Sequence, residues 1–150
     1  MRAESNLEKI LSSGHFAVTG ELGPPKSADL ETVKHHAEGM RNHVDSYNIT
    51  DNQTAIVRTS SVGVAASLIQ MGLEPNVQMT VRDRNRICLQ SDLLGAASFG
   101  VRNFLCLQGD RGKFGNEHSA KNVFDLDSMQ LIQAVKNMRD EGVFIGGEKL

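Results

Sequence analysis

The stretch Val101-Arg102-Asn103-Phe104-Leu105-Cys106-Leu107-Gln108-Gly109-Asp110 decides the fold. Phe104 to Leu107 is a continuous apolar run, which reads as a short strand from Asn103 to Leu107, covered on both faces as in a parallel sheet. It stops abruptly at Gln108-Gly109-Asp110. Gly109 permits a tight turn or a close approach of backbone to ligand. Asp110 then stands just beyond the carboxyl end of the strand, the edge at which parallel α/β proteins house their chemistry. A lone Gly-Asp is more often an ordinary turn, so the reading depends on whether the other strands end in the same way.

Working outward, three further strands are expected at Phe16–Leu22, Val44–Thr50 and Asn76–Val81. Between them, apolar positions recur at helical spacing over about Ser5–Ser13, from Ser27 or Asp29 to Arg41, Ser61–Met71, Arg86–Phe99 and Ser128–Arg139. Gly-Pro-Pro at 23–25, Gly72 with Pro75, and Gly142 punctuate the pattern. The strands recur about every thirty residues, the size of a βα unit. Strict strand–helix alternation implies a parallel sheet with right-handed crossovers, either open and doubly wound or part of a barrel. No G-x-G-x-x-G turn follows the first strand, so a dinucleotide-binding fold of that kind has no support. A complete (β/α)8 barrel takes about 250 residues. The 150 residues are therefore read as one domain, 1–150, with about four βα units and Val143–Ile145 as the start of a fifth strand.

The composition excludes several classes. A formal net charge of -2 gives no general pull toward nucleic acid or anionic membrane. No apolar run approaches the length of a membrane span, and the N-terminus lacks the apolar core of a signal peptide, so a cytoplasmic protein is expected. Cys88 and Cys106 match no metal or redox spacing and read as reduced, buried thiols. His35, His36 and His43 show no ligand spacing either, and no metal site is expected. Arg82, Arg84 and Arg86 are candidates to contact a phosphate or an RNA backbone, and Arg84 and Arg86 alternatively pair with nearby acids on the helix. The polar loop Arg111–Asn122, with Gly112 and Gly115, reads as a mobile surface loop.

The strand ends do share a character. They carry Glu21, then Thr50-Asp51-Asn52, then Arg82-Asp83-Arg84-Asn85, then Gln108-Gly109-Asp110. Glu21 adjoins an apolar strand and a rigid Gly-Pro-Pro corner. A carboxyl group there is expected to be partly desolvated and to serve as a general acid near neutral pH.

These same residues resemble one family. Glu21-Leu22-Gly23-Pro24-Pro25-Lys26 resembles the E-x-x-P-P-K opening of methylenetetrahydrofolate reductases, and Asn48-Ile49-Thr50-Asp51-Asn52 resembles their second strand. Gln78-Met79-Thr80 with Arg82-Asp83-Arg84-Asn85 is similar to the third strand and its loop, Gln90-Ser91-Asp92-Leu93-Leu94-Gly95-Ala96 to the third helix, and Leu107-Gln108-Gly109-Asp110 to the L-x-G-D turn. The likeness runs in order along residues 7–140 and is nearest to the branch of anaerobic one-carbon metabolism. Many members carry Arg at the position of Gln108 and His at that of Gln78.

The resemblance implies a flavin-bearing (β/α)8 TIM barrel, here in its first half, that reduces 5,10-methylenetetrahydrofolate to 5-methyltetrahydrofolate or runs the reverse. It implies Glu21 as general acid and Asp110 beside flavin and pterin. It also implies Thr50, Gln78, Leu107, Gln108, Gly109, Phe124 and Asp125 as the flavin lining, with FAD ahead of FMN as cofactor. Members span about twice this length. The chain is accordingly read as a fragment, or as a half-barrel completed by another copy, whose open side would bare an apolar interior. Relatives in anaerobes also take electrons from an iron–sulfur or zinc-bearing partner subunit. The alternative reading is a non-catalytic binding or assembly module derived from this family.

Overall fold

Each of the four expected strands forms, and they lie side by side in chain order. In a computed structural model that describes residues 3–150, β1 is Thr19–Leu22, β2 Ser46–Ile49, β3 Pro75–Thr80 and β4 Asn103–Leu107. The order is β1-β2-β3-β4 and every pairing is parallel. Around them run α1 (Asn6–Ser12), α2 (Glu31–Gly39), α3 (Ser61–Gln70), α4 (Arg86–Ser98) and α5 (Ser128–Asp140). This is an α/β fold consistent with a partial TIM barrel, and the barrel is not closed among the described residues.

Helix starts follow local chemistry. The Ser60 hydroxyl accepts from the Gly63 amide before α3, the Asn85 side chain accepts from the Ile87 and Cys88 amides before α4, and Asp127 forms a reciprocal capping box with Gln130 before α5. Helix α2 differs from expectation. Its cap position is Leu30, with no side-chain bond, while Asp29 accepts from the Glu31 amide just outside.

Side chains alternate across a strand, and here the alternation is in phase across the sheet. Leu22, Tyr47, Ile49 and Val77 point to the helices and pack with Val33 and Ala37 of α2, Val64, Ala65 and Leu68 of α3 and Ala96 of α4. A second cluster joins Met79 and Val81 to Leu89 and Leu93 of α4 and Leu131 of α5. The opposite, concave face carries Thr19, Glu21, Asn48, Asn76, Gln78 and Asn103, with Leu105 and Leu107 the apolar members.

Two expectations are corrected. Strand β4 is covered on one face only, since Phe104 and Cys106 pack toward the helices while Leu105 on the concave side is 40% exposed. The interior is also polar rather than apolar. The run Phe104–Leu107 is continuous because its concave-facing members happen to be leucines, whereas the other strands place amides and carboxylates in that phase.

The outer elements show further differences. Strand β1 begins only at Thr19, and Phe16 is 90% exposed. Val143–Ile145 does not join the sheet. Val143 bridges antiparallel to Lys149, the Phe144 amide donates to the Glu148 carbonyl, and the Ile145 amide is held by the Gln90 side chain. Below the sheet, the Glu74 carboxylate accepts from the Asn6 and Leu7 amides at 2.6 and 2.9 Å and from the Asn103 amide group at 3.0 Å, so α1 is seated under the amino ends of β3 and β4.

Polar clamps brace the carboxyl edge. Asp51, whose side chain is fully buried, accepts from the Thr80 amide and hydroxyl and from both terminal nitrogens of Arg84, which also bonds Asp92 on α4. Burial disfavours the Arg84 charge, but the bonds and charge of Asp51 and then Asp92 outweigh it and raise its pKa. Arg86 at the start of α4 donates from its amide, Nε and Nη2 to Asp125, holding that carboxyl at about 2.

Two outcomes follow from these clamps. Asp51→Ala leaves Arg84 buried without its main partner and should cost about 3–5 kcal/mol in urea denaturation, with much of the loss recovered in Asp51→Ala/Arg84→Met. The Asp125 carboxyl has a folded-state pKa below its unfolded value of about 3.9. Its contribution to stability is therefore full above that value and lost as pH falls through about 2. Asp125→Asn should flatten the fall of melting temperature between those two pH values.

Candidate functional site

Because all four strands are parallel, their carboxyl ends meet at one rim. Glu21, Asn48, Asn76 and Asn103 form one row across the concave face by register. One step nearer the rim lie Thr50, Gln78 and Leu105, and above these Thr80 and Leu107. Asp110 follows beyond the end of β4. Glu21, near the end of β1, and Asp110, beyond β4, both lie toward the carboxyl ends of the strands, separated by three strand spacings, at least about 14 Å. That exceeds the ~5–9.5 Å of a glycosidase carboxyl pair, so the two carboxylates would act on different parts of a large ligand.

The rows differ in how their polar groups are satisfied. In the lower row the three asparagines bond to one another or to neighbours on the same face, and Glu21 at the end of β1 does not. Asn48 donates to the Thr19 hydroxyl at 3.1 Å, Asn76 to Asn48 at 2.7 Å, and Asn103 to Glu74 at 3.0 Å. Nearer the rim this bonding stops. The Thr50 hydroxyl is buried without a hydrogen-bond partner, and the Gln78 carboxamide and the Glu21 and Asp110 carboxylates have no hydrogen-bond or ion-pair partner among the described residues. Native proteins pair their buried polar groups, so the orphaned Thr50 hydroxyl marks a surface that meets a ligand, with the half-buried Gln78 and the exposed Glu21 and Asp110 on the same side of the sheet. Glu21 is exposed rather than desolvated, at the open edge of the sheet, whereas Thr50 and Thr80 further in are buried.

Asp110 is placed by its surroundings. Gly109 has φ +82°, and a Cβ there would lie 3.1 Å from the Cβ atoms of Thr80 and Arg82, so the chain turns tightly over the end of β3. Arg82, only 2% exposed, donates to the Asp110 carbonyl at 3.1 Å and the Asn52 carbonyl at 3.2 Å while gripping Asp83 through two bonds of 2.7 Å. The bonds to Asp83 raise the Arg82 pKa. In Asp83, burial pushes up and Arg82 more than offsets it, so the carboxyl is lowered.

The loop expected to be mobile is braced. A Cβ on Gly115 would lie 1.7 Å from the Ala55 carbonyl oxygen, the Asn116 side chain accepts from the Val57 amide, and Asn122 accepts from the Gly112 amide. The loops after β2 and β4 therefore lean on each other. The β2 loop holds Asn52, Thr54 and Ala55 at φ 44°, 58° and 58°; asparagine tolerates this region, while Thr54 and Ala55 cost on the order of 1–2 kcal/mol each. Such strain persists where surrounding contacts enforce it.

Not every expected residue reaches the concave face. The Gln108 side chain accepts from the Ser128 amide at the start of α5, Phe124 packs into the second cluster, and Asp125 is committed to Arg86. All three lie toward the helices or on the approach to α5. Arg84 and Arg86 pair with acids, as one of the two sequence readings had it. Cys88 is exposed on the first turn of α4 instead of buried. Cys106 is half-buried, and burial pushes its thiol up to about 11. The clamping roles of Asp51 and Arg82 were missed, because the sequence shows only alternating charges after two strand ends.

No helix among the described residues is long and apolar enough to cross a membrane. No curated protein matches the chain. A family profile described as methylenetetrahydrofolate reductase matches residues 6–146, the whole run from α1 through α5. That span contains the rim carboxylates Glu21 and Asp110 and the unpaired Thr50 and Gln78 between them, and over it the chain belongs to the methylenetetrahydrofolate reductase family.

Proposed function

We propose that the chain forms the β1–β4 side of a site that reduces 5,10-methylenetetrahydrofolate to 5-methyltetrahydrofolate, or catalyses the reverse. The family is one of folate oxidoreductases in one-carbon metabolism that generally use a flavin. The observation that carries the reading is the unpartnered set of Glu21, Thr50, Gln78 and Asp110 on one concave face and rim.

The residues present fit a flavin. The Thr50 hydroxyl lacks a partner among the described residues, Gln78 offers a free carboxamide beside it, Leu107 adds apolar surface, and the Gly109 turn keeps the rim low. When bound, FAD supplies the hydride chemistry. The protein's own part is proton handling and placement. Once bound ligand covers the concave face, Glu21 donates a proton to the bridging amine nitrogen of the folate. This opens the methylene bridge to an iminium whose carbon becomes the methyl group on gaining hydride. In the reverse direction the Glu21 carboxylate takes the proton back. Asp110, three strands away, holds negative charge near the other end of the assembly and orients the pterin.

The edges of β1 and β4 are unpaired in the described sheet, and such edges accept another strand. We propose a second copy as the partner. Both edges are parallel and face the same way, so β4 of each copy can pair with β1 of the other and enclose the concave face.

Purified chain titrated with FAD and, separately, FMN should acquire a stoichiometric yellow flavin, with FAD held more tightly. A colourless protein that cannot be loaded would overturn the reading in favour of a non-catalytic module. In loaded protein, Glu21→Gln should slow folate reduction by about 10²–10⁴-fold while leaving flavin reduction by an artificial donor intact. Loss of both, or of neither, contradicts the assigned role. Sedimentation should show a dimer, and a well-folded monomer at high concentration counts against the shared barrel.

A further inference from the structure

We propose that Arg82 is a positioning residue for Asp110, and that Asp83 is the counter-ion that keeps the Arg82 guanidinium off the Asp110 carboxylate. The inference rests on the reading of Asp110 as a group of the reaction site.

A guanidinium has five N–H donors, and four of those of Arg82 are bonded, leaving one Nη1 hydrogen. Nε and Nη2 donate to Asp83, Nη2 also to the Asn52 carbonyl, and Nη1 to the Asp110 carbonyl. One buried side chain therefore joins the loops that follow β2, β3 and β4. Its own carbonyl accepts from the Val123 amide at 2.7 Å, adding the segment that leads into α5.

The division of labour is specific. Arg82 holds Asp110 by its main chain, and the Asp110 carboxylate stays without a hydrogen bond or ion pair among the described residues. A buried cation needs a counter-charge, and Asp83 supplies it in bidentate geometry, the strong and directional form of the pair. Two other carboxylates act on the Arg82 charge, Asp51 and Asp110. Asp51 is committed to Arg84 and Thr80. Removing the Asp83 charge thus leaves Asp110 as the free carboxylate toward which the guanidinium would turn.

The tie is tested in flavin-free protein by backbone amide hydrogen exchange. Arg82→Lys keeps the charge but cannot serve three loops, and exchange over 52–55 and 109–116 should quicken tenfold or more while β2 and β3 keep their protection. Unchanged exchange, or a uniform rise over the whole chain, overturns the tie.

The reach of Asp83 into the chemistry is tested in FAD-loaded protein by dye-coupled potential measurement. Asp83→Asn should make the flavin easier to reduce, because Arg82 then neutralises Asp110, and the shift should vanish in the Asp110→Asn background. An Asp83→Asn protein with retained melting temperature and no shift, or a shift that survives in Asp110→Asn, overturns the counter-ion role. A wild-type chain that takes up no FAD would remove the proposed function instead, and the exchange result would still uphold or overturn the Arg82 tie.

Discussion

Strand alternation in phase across four parallel strands is the constraint on which the molecule depends. Once Leu22, Ile49 and Val77 must face the helices to build the core, Glu21, Asn48, Asn76 and Gln78 have to face the other way. A slip of one residue in any strand would bury a carboxylate or an amide among α2, α3 and α4 and expose a leucine or valine. The same phase that makes the core apolar makes the concave face polar. Core and site are two consequences of one register.

A vertical order is laid over this horizontal one. At the amino ends Glu74 closes the space beneath the sheet by holding the first turn of α1. In the middle, the asparagines bond to their neighbours and form a closed polar layer. At the carboxyl ends, the charged groups divide into two kinds. Asp51, Asp83, Arg82 and Arg84 satisfy one another and act as framework. Glu21 and Asp110 are left over. The rim is rich in charge, yet most of that charge is spent internally, and this isolates the few groups available for chemistry.

Much of the fold was legible in the sequence because its signals are local. The periodicity of Ser61–Gln70 and Ser128–Asp140, the Asp127 cap, and the Gly-Asp ending of β4 all act within a few residues. What was not legible depends on distant partners. Four apolar residues in a row at Phe104–Leu107 concealed that half of them face an open side, although Asn48, Asn76 and Gln78 already marked that side as polar. The pairing of Arg84 with Asp51 spans 33 residues and has no local signature. Phe16–Val18 has strand composition but lies ahead of the paired edge, and Val143–Ile145 has it too but is turned back by its own hairpin. For the site, Glu21, Thr50, Gln78, Leu107 and Asp110 fall on one face or rim because strand position alone decides it. Gln108, Phe124 and Asp125 follow the loop into α5, whose path the sequence does not display.

The contact of Gly115 with Ala55 makes the lengths of two loops interdependent. An insertion after β2 would lift Ala55 into the space that Gly115 occupies, and an insertion after β4 would do the reverse. Neither loop can drift in size unless the other changes with it. The loop after β1 is geared to the same pair, since Pro24, Pro25 and Ser27 accept from Arg58 and Thr59 at the end of the β2 loop, so diversification of this scaffold toward other ligands requires all three loops to change together.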